Sequence, residues 1–272
     1  MRKRIQKTGS ADEGNPYWMS FSDMMSALLV IFLLATVVLI LQLMERQAEV
    51  VKEREAAEQL KEVLRQKEIQ FDEEITQLKK AEEVRRTILE EAVIELKRRG
   101  IEVEISENNT VLRIPNALLG FETGAYEIQA RYAQTALEIG EVLYQVISLE
   151  NRIDYLDTIF IEGHTDNRAY RGLMGKGNWG LSTFRSISLW QYWSDFLPED
   201  KQLNEMLNLD GNHLFSVSGY AETRPAIEAQ YTEEDFKANR RVDIRFTIRK
   251  PDSIEYEGVK SLLKDRDEAT EF

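Results

Sequence analysis

Asp23 stands at the head of a 21-residue stretch, Met24–Met44, that carries no charged side chain. About 20 apolar residues at ~1.5 Å each cross a hydrocarbon layer of roughly 30 Å, so this stretch is long enough to span a bilayer once. An acid well inside such a helix costs about 2.5–3.5 kcal/mol on insertion scales and less at the edge. A carboxyl entering hydrocarbon is driven to its neutral form because the charged form loses its hydration. It can take up a proton on one side and release it on the other. Each elementary charge moved through about 100 mV supplies roughly 2.3 kcal/mol. The plainer reading keeps Asp23 in the interface as a helix-start residue, since Ser20, Ser22 and Asp23 are all capping types. Ser26, three residues on and nearly on the same face, either bonds the carried ion or Asp23, or lets helices pack closely. Elsewhere no Ser/His/Asp arrangement, phosphate-binding loop or cluster of metal ligands stands out. With two histidines in the chain and no cysteine, His164 reads as a strand-end residue rather than a metal ligand. These patterns predict a protein that is not an enzyme and needs no cofactor beyond a transported H+ or Na+.

The elements that must place Asp23 follow from charge. A net charge of −13 argues against a nucleic-acid partner. Residues 1–10 carry Arg2, Lys3, Arg4 and Lys7 with no acid, so the positive-inside rule keeps residues 1–22 in the cytoplasm and exports everything beyond Met44. A cleaved signal peptide would have an apolar region of about 7–15 residues and a small-x-small site after it. This stretch is longer and lacks the site, so 23–44 reads as an uncleaved transmembrane helix in lipid, giving a single-pass membrane protein with its C-terminal part on the far side. With no cysteine, that part depends on a packed core.

Residues 45–99 contain neither Gly nor Pro and are dense in good helix formers. Ala57, Leu64, Phe71 and Leu78 recur every seven residues, with Leu60, Ile75 and Ala81 near a second seam. This pattern predicts a periplasmic helical linker forming a parallel coiled coil and hence a homodimer; a solvated helix folding back on the C-terminal domain is the alternative. Gly100 is a C-cap candidate. Alternation in 101–106, a turn at Glu107–Asn109 and TVLRI at 110–114 predict a hairpin. Helical spacing marks 129–149 and 181–196, and strands are expected at 157–163, 214–220 and 240–248. Together they predict an α/β (α+β) sandwich with a mixed sheet over 100–249, followed by a polar tail at 250–272.

Five pieces of this C-terminal part carry a family resemblance: NALLGFETGAYEI at 116–128, IEGHTDN at 161–167, LSTFRS at 181–186, VSGYAETRP at 217–225 and NRRVDIRF at 239–246. In this order they resemble the OmpA-like peptidoglycan-binding domain found in OmpA, Pal and the flagellar stator protein MotB. The N-terminal NPYWMSFSDMMSALLVIFLL, 15–34, is similar to the start of stator B subunits, and its Pro16-Tyr17-Trp18 approach looks closest to the ZorB-type subunits of the Zorya anti-phage systems. The resemblance implies that Asp23 carries the ion. It also implies a multi-spanning partner of MotA or ZorA type that forms a ring, since one helix cannot enclose a conducting path.

For the C-terminal part the resemblance implies binding of a peptidoglycan stem ending in diaminopimelate. Such a ligand offers an ammonium and carboxylates, which calls for one acid and one guanidinium at fixed separation. Asp166 matches the first and Arg185 the family's carboxylate-binding arginine. Thr165 and Asn178 are neighbouring donors, and Leu181 matches a position that packs beside the ligand. The plainer reading pairs Asp166 with Arg185 on the surface, worth about 0–1 kcal/mol. Asn239 and Arg240 read as capping residues that could also touch ligand. The segment between Asp166 and Leu181, NRAYRGLMGKGNWG, is longer than the family pattern, with Ala169 where a Gly often sits. The function expected is a wall-anchored stator subunit of Zorya-type defence. A flagellar stator subunit and a passive membrane-to-wall tether are the alternatives.

Overall fold

A computed structural model describes residues 16–106 and 108–250. The basic start at 1–15, Glu107 of the expected turn and the expected tail beyond Lys250 lie outside the described residues. The chain divides into two compact units that meet at Gln70 and Phe71.

The first unit consists of α1, which runs over Pro16–Arg98 and continues into the second unit. Proline suits the first helical position because its missing N–H would have no partner there. From Phe21 to Met44 every large apolar side chain is exposed on the helix surface, and the most apolar 18-residue window has a mean hydropathy of 3.0 with none of it buried. A helix apolar on all sides and covered by nothing suits lipid. Asp23 lies seven residues inside α1, so it does not cap the helix, against the plainer reading of this residue. The Ser26 hydroxyl donates to the Ser22 carbonyl at 2.8 Å, which satisfies it within the helix.

The second unit is the α/β domain with a mixed sheet. Its strands are β1 (Glu104–Ile105), β2 (Val111–Pro115), β3 (Leu156–His164), β4 (Phe215–Gly219) and β5 (Arg241–Ile248), in the spatial order β1-β2-β5-β3-β4. Among the described residues only β3 and β4 are parallel, and α4 (Gly177–Phe196) connects them; a crossover helix is what a parallel pair requires. The last strand in sequence, β5, is central and antiparallel to both neighbours. Its alternation sends Val242, Ile244 and Phe246 into the core and Arg241, Asp243 and Arg245 to the opposite face.

The apolar face packs with α3 (Ala133–Ile147) and α4 through Ile139, Leu143, Leu189 and Trp193. The Trp193 indole N–H donates to the Ala136 carbonyl at 2.7 Å, so the largest core side chain is also polar-satisfied. Gly163 of β3 is required here, because a Cβ would run into the Ser182 carbonyl and the Ser186 hydroxyl of α4.

The core also corrects the expected boundary at residue 100. Ala81, Ile88, Leu89, Ala92 and Leu96 of α1 are buried in it. Leu89, Ala92 and Leu96, three and four residues apart, mark one helix stripe with Ile88 beside them, which the seven-residue pattern before it obscured. Arg152 clamps this stripe: its Nη1 and Nη2 donate to Glu91 Oε2 and Oε1 at 2.6 and 2.9 Å, and Nη1 also reaches the Val146 carbonyl. The last turns of the expected linker are therefore domain. Ala81, read as a seam residue, is taken by the core, while Ala57, Leu60, Leu64 and Phe71 remain exposed. Two short helices were not anticipated, α2 (Asn116–Leu119) and α5 (Glu233–Asn239), and α4 begins at Gly177, four residues before the expected 181.

Candidate functional site

The site forms where β3 ends and α4 begins. The Thr165 N–H donates to the Ala221 carbonyl at 2.9 Å, which extends the β3–β4 pairing by one step and fixes Asp166 just beyond it. Asp166 is 6% exposed. Its Oδ1 accepts from the Arg168 backbone N–H at 3.1 Å, and its Oδ2 accepts from Arg168 Nε at 3.1 Å, Arg168 Nη2 at 2.7 Å and Arg240 Nη1 at 2.6 Å. Glu233 closes a ring: Oε1 accepts from Arg240 Nη2 at 2.8 Å and Oε2 from Arg168 Nη1 at 3.1 Å. The Arg168 guanidinium also lies 4.4 Å from the centre of the Phe236 ring, a cation–π distance. Burial alone would raise Asp166, but the hydrogen bonds from Arg168 and Arg240 outweigh it and hold the carboxyl below its usual range.

Local sequence explains these placements. Thr232 opens α5 with a capping box, its hydroxyl accepting from the Asp235 N–H while Asp235 Oδ2 accepts from the Thr232 N–H at 2.8 Å. That sets Glu233 in the first turn. Asn239 is fully buried and holds the 226–227 backbone with three hydrogen bonds, the structural role expected for it. Arg240 goes further, into the ring around Asp166.

Arg185 of α4 is 2% exposed. Its Nε donates to the Ala125 carbonyl at 3.0 Å and Nη2 to the Glu122 carbonyl at 3.1 Å, and the Phe121 ring lies 5.3 Å away. Two fixed carbonyls set the plane of the guanidinium, and Nη1 has no partner among the described residues. Burial, then the neighbouring Arg240, push its pKa down to about 10, while Asp166 and Tyr170 favour the charged form; the group stays cationic at neutral pH. Asp166 and Arg185 thus share a neighbourhood, yet the acid's hydrogen bonds go to Arg168 and Arg240, so the simple surface pair is not formed.

Asn178 Nδ2 donates to the Arg168 carbonyl and to Glu222 Oε2, both at 3.0 Å, tying the start of α4 to the loop after Asp166. Leu181 is buried one turn before Arg185. The Thr165 hydroxyl is buried without a partner among the described residues. The five residues named from sequence gather at one end of the sheet. Arg168 and Glu233 were missed, although the capping signature at Thr232 and the long loop after Asp166 both marked their segments.

His164, 1% exposed, stacks on Tyr220 on the sheet face away from the helices. Its Nε2 approaches Asp243 Oδ2 at 3.3 Å, but neither ring nitrogen makes a hydrogen bond among the described residues. Burial first, then the cations of Arg241, Arg224, Arg245 and Arg113, push the imidazole down to about 2. The ring is neutral, and the approach to Asp243 is not an ion pair. Among the described residues no group of three or more His, Cys, Asp or Glu could hold a metal ion.

Comparison with known proteins adds the following. No family model matches the chain. An uncharacterized protein of Bacillus subtilis, YtxE, is 33% identical over 138 residues, 51% of this chain and 48% of its own length; the chain thus spans about half of this curated relative. A MotB-like protein from Desulfovibrio vulgaris aligns with a TM-score of 0.46 at 21% identity, over 63% of this chain and 99% of that structure. The cell wall anchor of the T6SS from Pseudomonas aeruginosa aligns with a TM-score of 0.43 at 20% identity, over 60% and 99%.

Proposed function

We propose that this chain is the peptidoglycan-anchored B subunit of an ion-driven membrane stator, working in Zorya-type anti-phage defence. The observation that carries the reading is Asp23, set inside α1 at the head of a stretch of 21 uncharged residues. In this role Asp23 exchanges H+ or Na+ with the two sides of the inner membrane, the N-terminus being cytoplasmic and the α/β domain periplasmic. A multi-spanning subunit of MotA or ZorA type encloses the path and converts loading into steps. Two copies of the chain pair through the exposed apolar positions Ala57, Leu60, Leu64 and Phe71.

At the wall, the Arg185 guanidinium takes a carboxylate of the diaminopimelate-type stem peptide. Its plane is fixed by the Glu122 and Ala125 carbonyls, so little freedom is lost on binding. In this role Leu181 and Asn178 contribute to the same pocket, with the Thr165 hydroxyl, which has no partner among the described residues, as a further donor. The domain binds without cleaving.

The test compares cells carrying the whole operon with Asp23→Asn against wild type, at matched protein level. The readout is phage protection, or motility where the neighbouring genes are motility genes. Loss of activity is expected. Full activity would leave a passive tether in which Asp23 carries nothing.

A further inference from the structure

Resting on the wall-binding reading above, we infer that Arg168 sets the ligand specificity of this site by standing in for a ligand ammonium on Asp166, so that the site selects wall peptides by a carboxylate alone. An acid held free for an ammonium would present open lone pairs. On Asp166 the Oδ2 oxygen already accepts from three guanidinium donors of Arg168 and Arg240, between 2.6 and 3.1 Å, and Oδ1 accepts from the Arg168 backbone N–H at 3.1 Å. Each carboxylate oxygen accepts about two hydrogen bonds, so Oδ2 is filled and an ammonium could reach only the one site left on Oδ1 unless it displaces Arg168.

Displacing Arg168 would break more than that contact. The guanidinium forms a charge-assisted pair with Asp166, pairs with Glu233 and stacks on Phe236, and its backbone N–H and carbonyl are held by Asp166 and Asn178. A flexible ligand ammonium brings one point charge against this planar, multiply bonded group. Arg168, Arg185 and Arg240 against Asp166, Glu233 and the Glu222 carboxylate that Asn178 bonds balance at three positive and three negative groups. Arg185 is the one of the three cations that bonds backbone carbonyls instead of a carboxylate, so it is the one that an incoming carboxylate can pair with. Arg168 lies in the segment 167–180 between Asp166 and Leu181, and its side chain is 45% exposed at the rim.

The experiment uses the full chain in detergent and isothermal titration calorimetry with three soluble muropeptides. These are a tripeptide stem with its free diaminopimelate end, the same stem with the side-chain ammonium N-acetylated, and the same stem with the neighbouring carboxylate converted to a carboxamide. Wild type is expected to bind the first two within about threefold and the carboxamide at least about tenfold more weakly, the loss of one charge-assisted pair. In Arg168→Ala, N-acetylation is expected to cost at least about tenfold, because Asp166 is then open to the ammonium. Wild-type binding abolished by N-acetylation, or an Arg168→Ala profile identical to wild type, overturns the inference. The wild-type arms decide it even where the variant does not fold. If wild type binds none of the three, the wall-binding reading itself fails and the inference falls with it.

Discussion

Replacing His164 tests the charge pattern beneath the site. In the folded chain the imidazole is pushed down to about 2 by burial and four nearby guanidinium groups, whereas in the unfolded chain it titrates near 6.5. Below that value the unfolded state binds a proton that the folded state refuses. Stability is therefore complete above about pH 6.5 and falls by up to about 1.4 kcal/mol for each unit of acidification. At pH 5 the accumulated loss from this one residue is about 2 kcal/mol. Because His164 is 1% exposed, solvent screening does not reduce the figure. The assay is urea unfolding of the full chain in detergent, followed by tryptophan fluorescence between pH 7.5 and 5, for wild type and His164→Gln. The variant is expected to lose less stability on acidification by about 2 kcal/mol, whatever its absolute stability at pH 7.5. Equal pH dependence in the two proteins would refute the reasoning. So would a wild type that gains stability on acidification relative to the variant, because a protonated ring paired with Asp243 would have that sign.

Leu89→Ala empties a fully buried position of α1 and is expected to cost about 2–5 kcal/mol in urea unfolding, while Leu64→Ala, exposed on the same helix, is expected to change the domain's stability little. Gly163→Ala forces β3 away from the Ser182 carbonyl; a loss of about 1–3 kcal/mol is expected from overpacking, with weaker muropeptide binding in titration because Ser182 and Ser186, which the new methyl group meets, flank Arg185 on α4.

Much of this was legible in the residues because it rests on short-range rules. The uncharged run from Met24 to Met44 and the alternation of β5 fix the apolar helix and the strand facing without any tertiary information. Two of the motif pieces named Thr165, Asp166, Leu181 and Arg185 together. What escaped depends on partners distant in sequence. The burial of Ala81 to Leu96 needs α3 and the sheet to complete the core, and within the helix it looks like one more amphipathic stripe. Arg168 looks like an ordinary loop cation until α5, 65 residues later, brings Glu233 against it. The helix-start reading of Asp23 failed for a local reason: α1 begins earlier, at Pro16.

The central claim is that the domain holds the cell wall through Arg185, and co-sedimentation of the full chain with purified peptidoglycan sacculi tests it most directly. Wild type is expected to pellet with the sacculi. Arg185→Lys keeps the charge but loses the planar fork that the Glu122 and Ala125 carbonyls orient; with its fold checked by circular dichroism, it is expected to stay in the supernatant. A folded Arg185→Lys that pellets like wild type, or a wild type that does not pellet, would contradict the account.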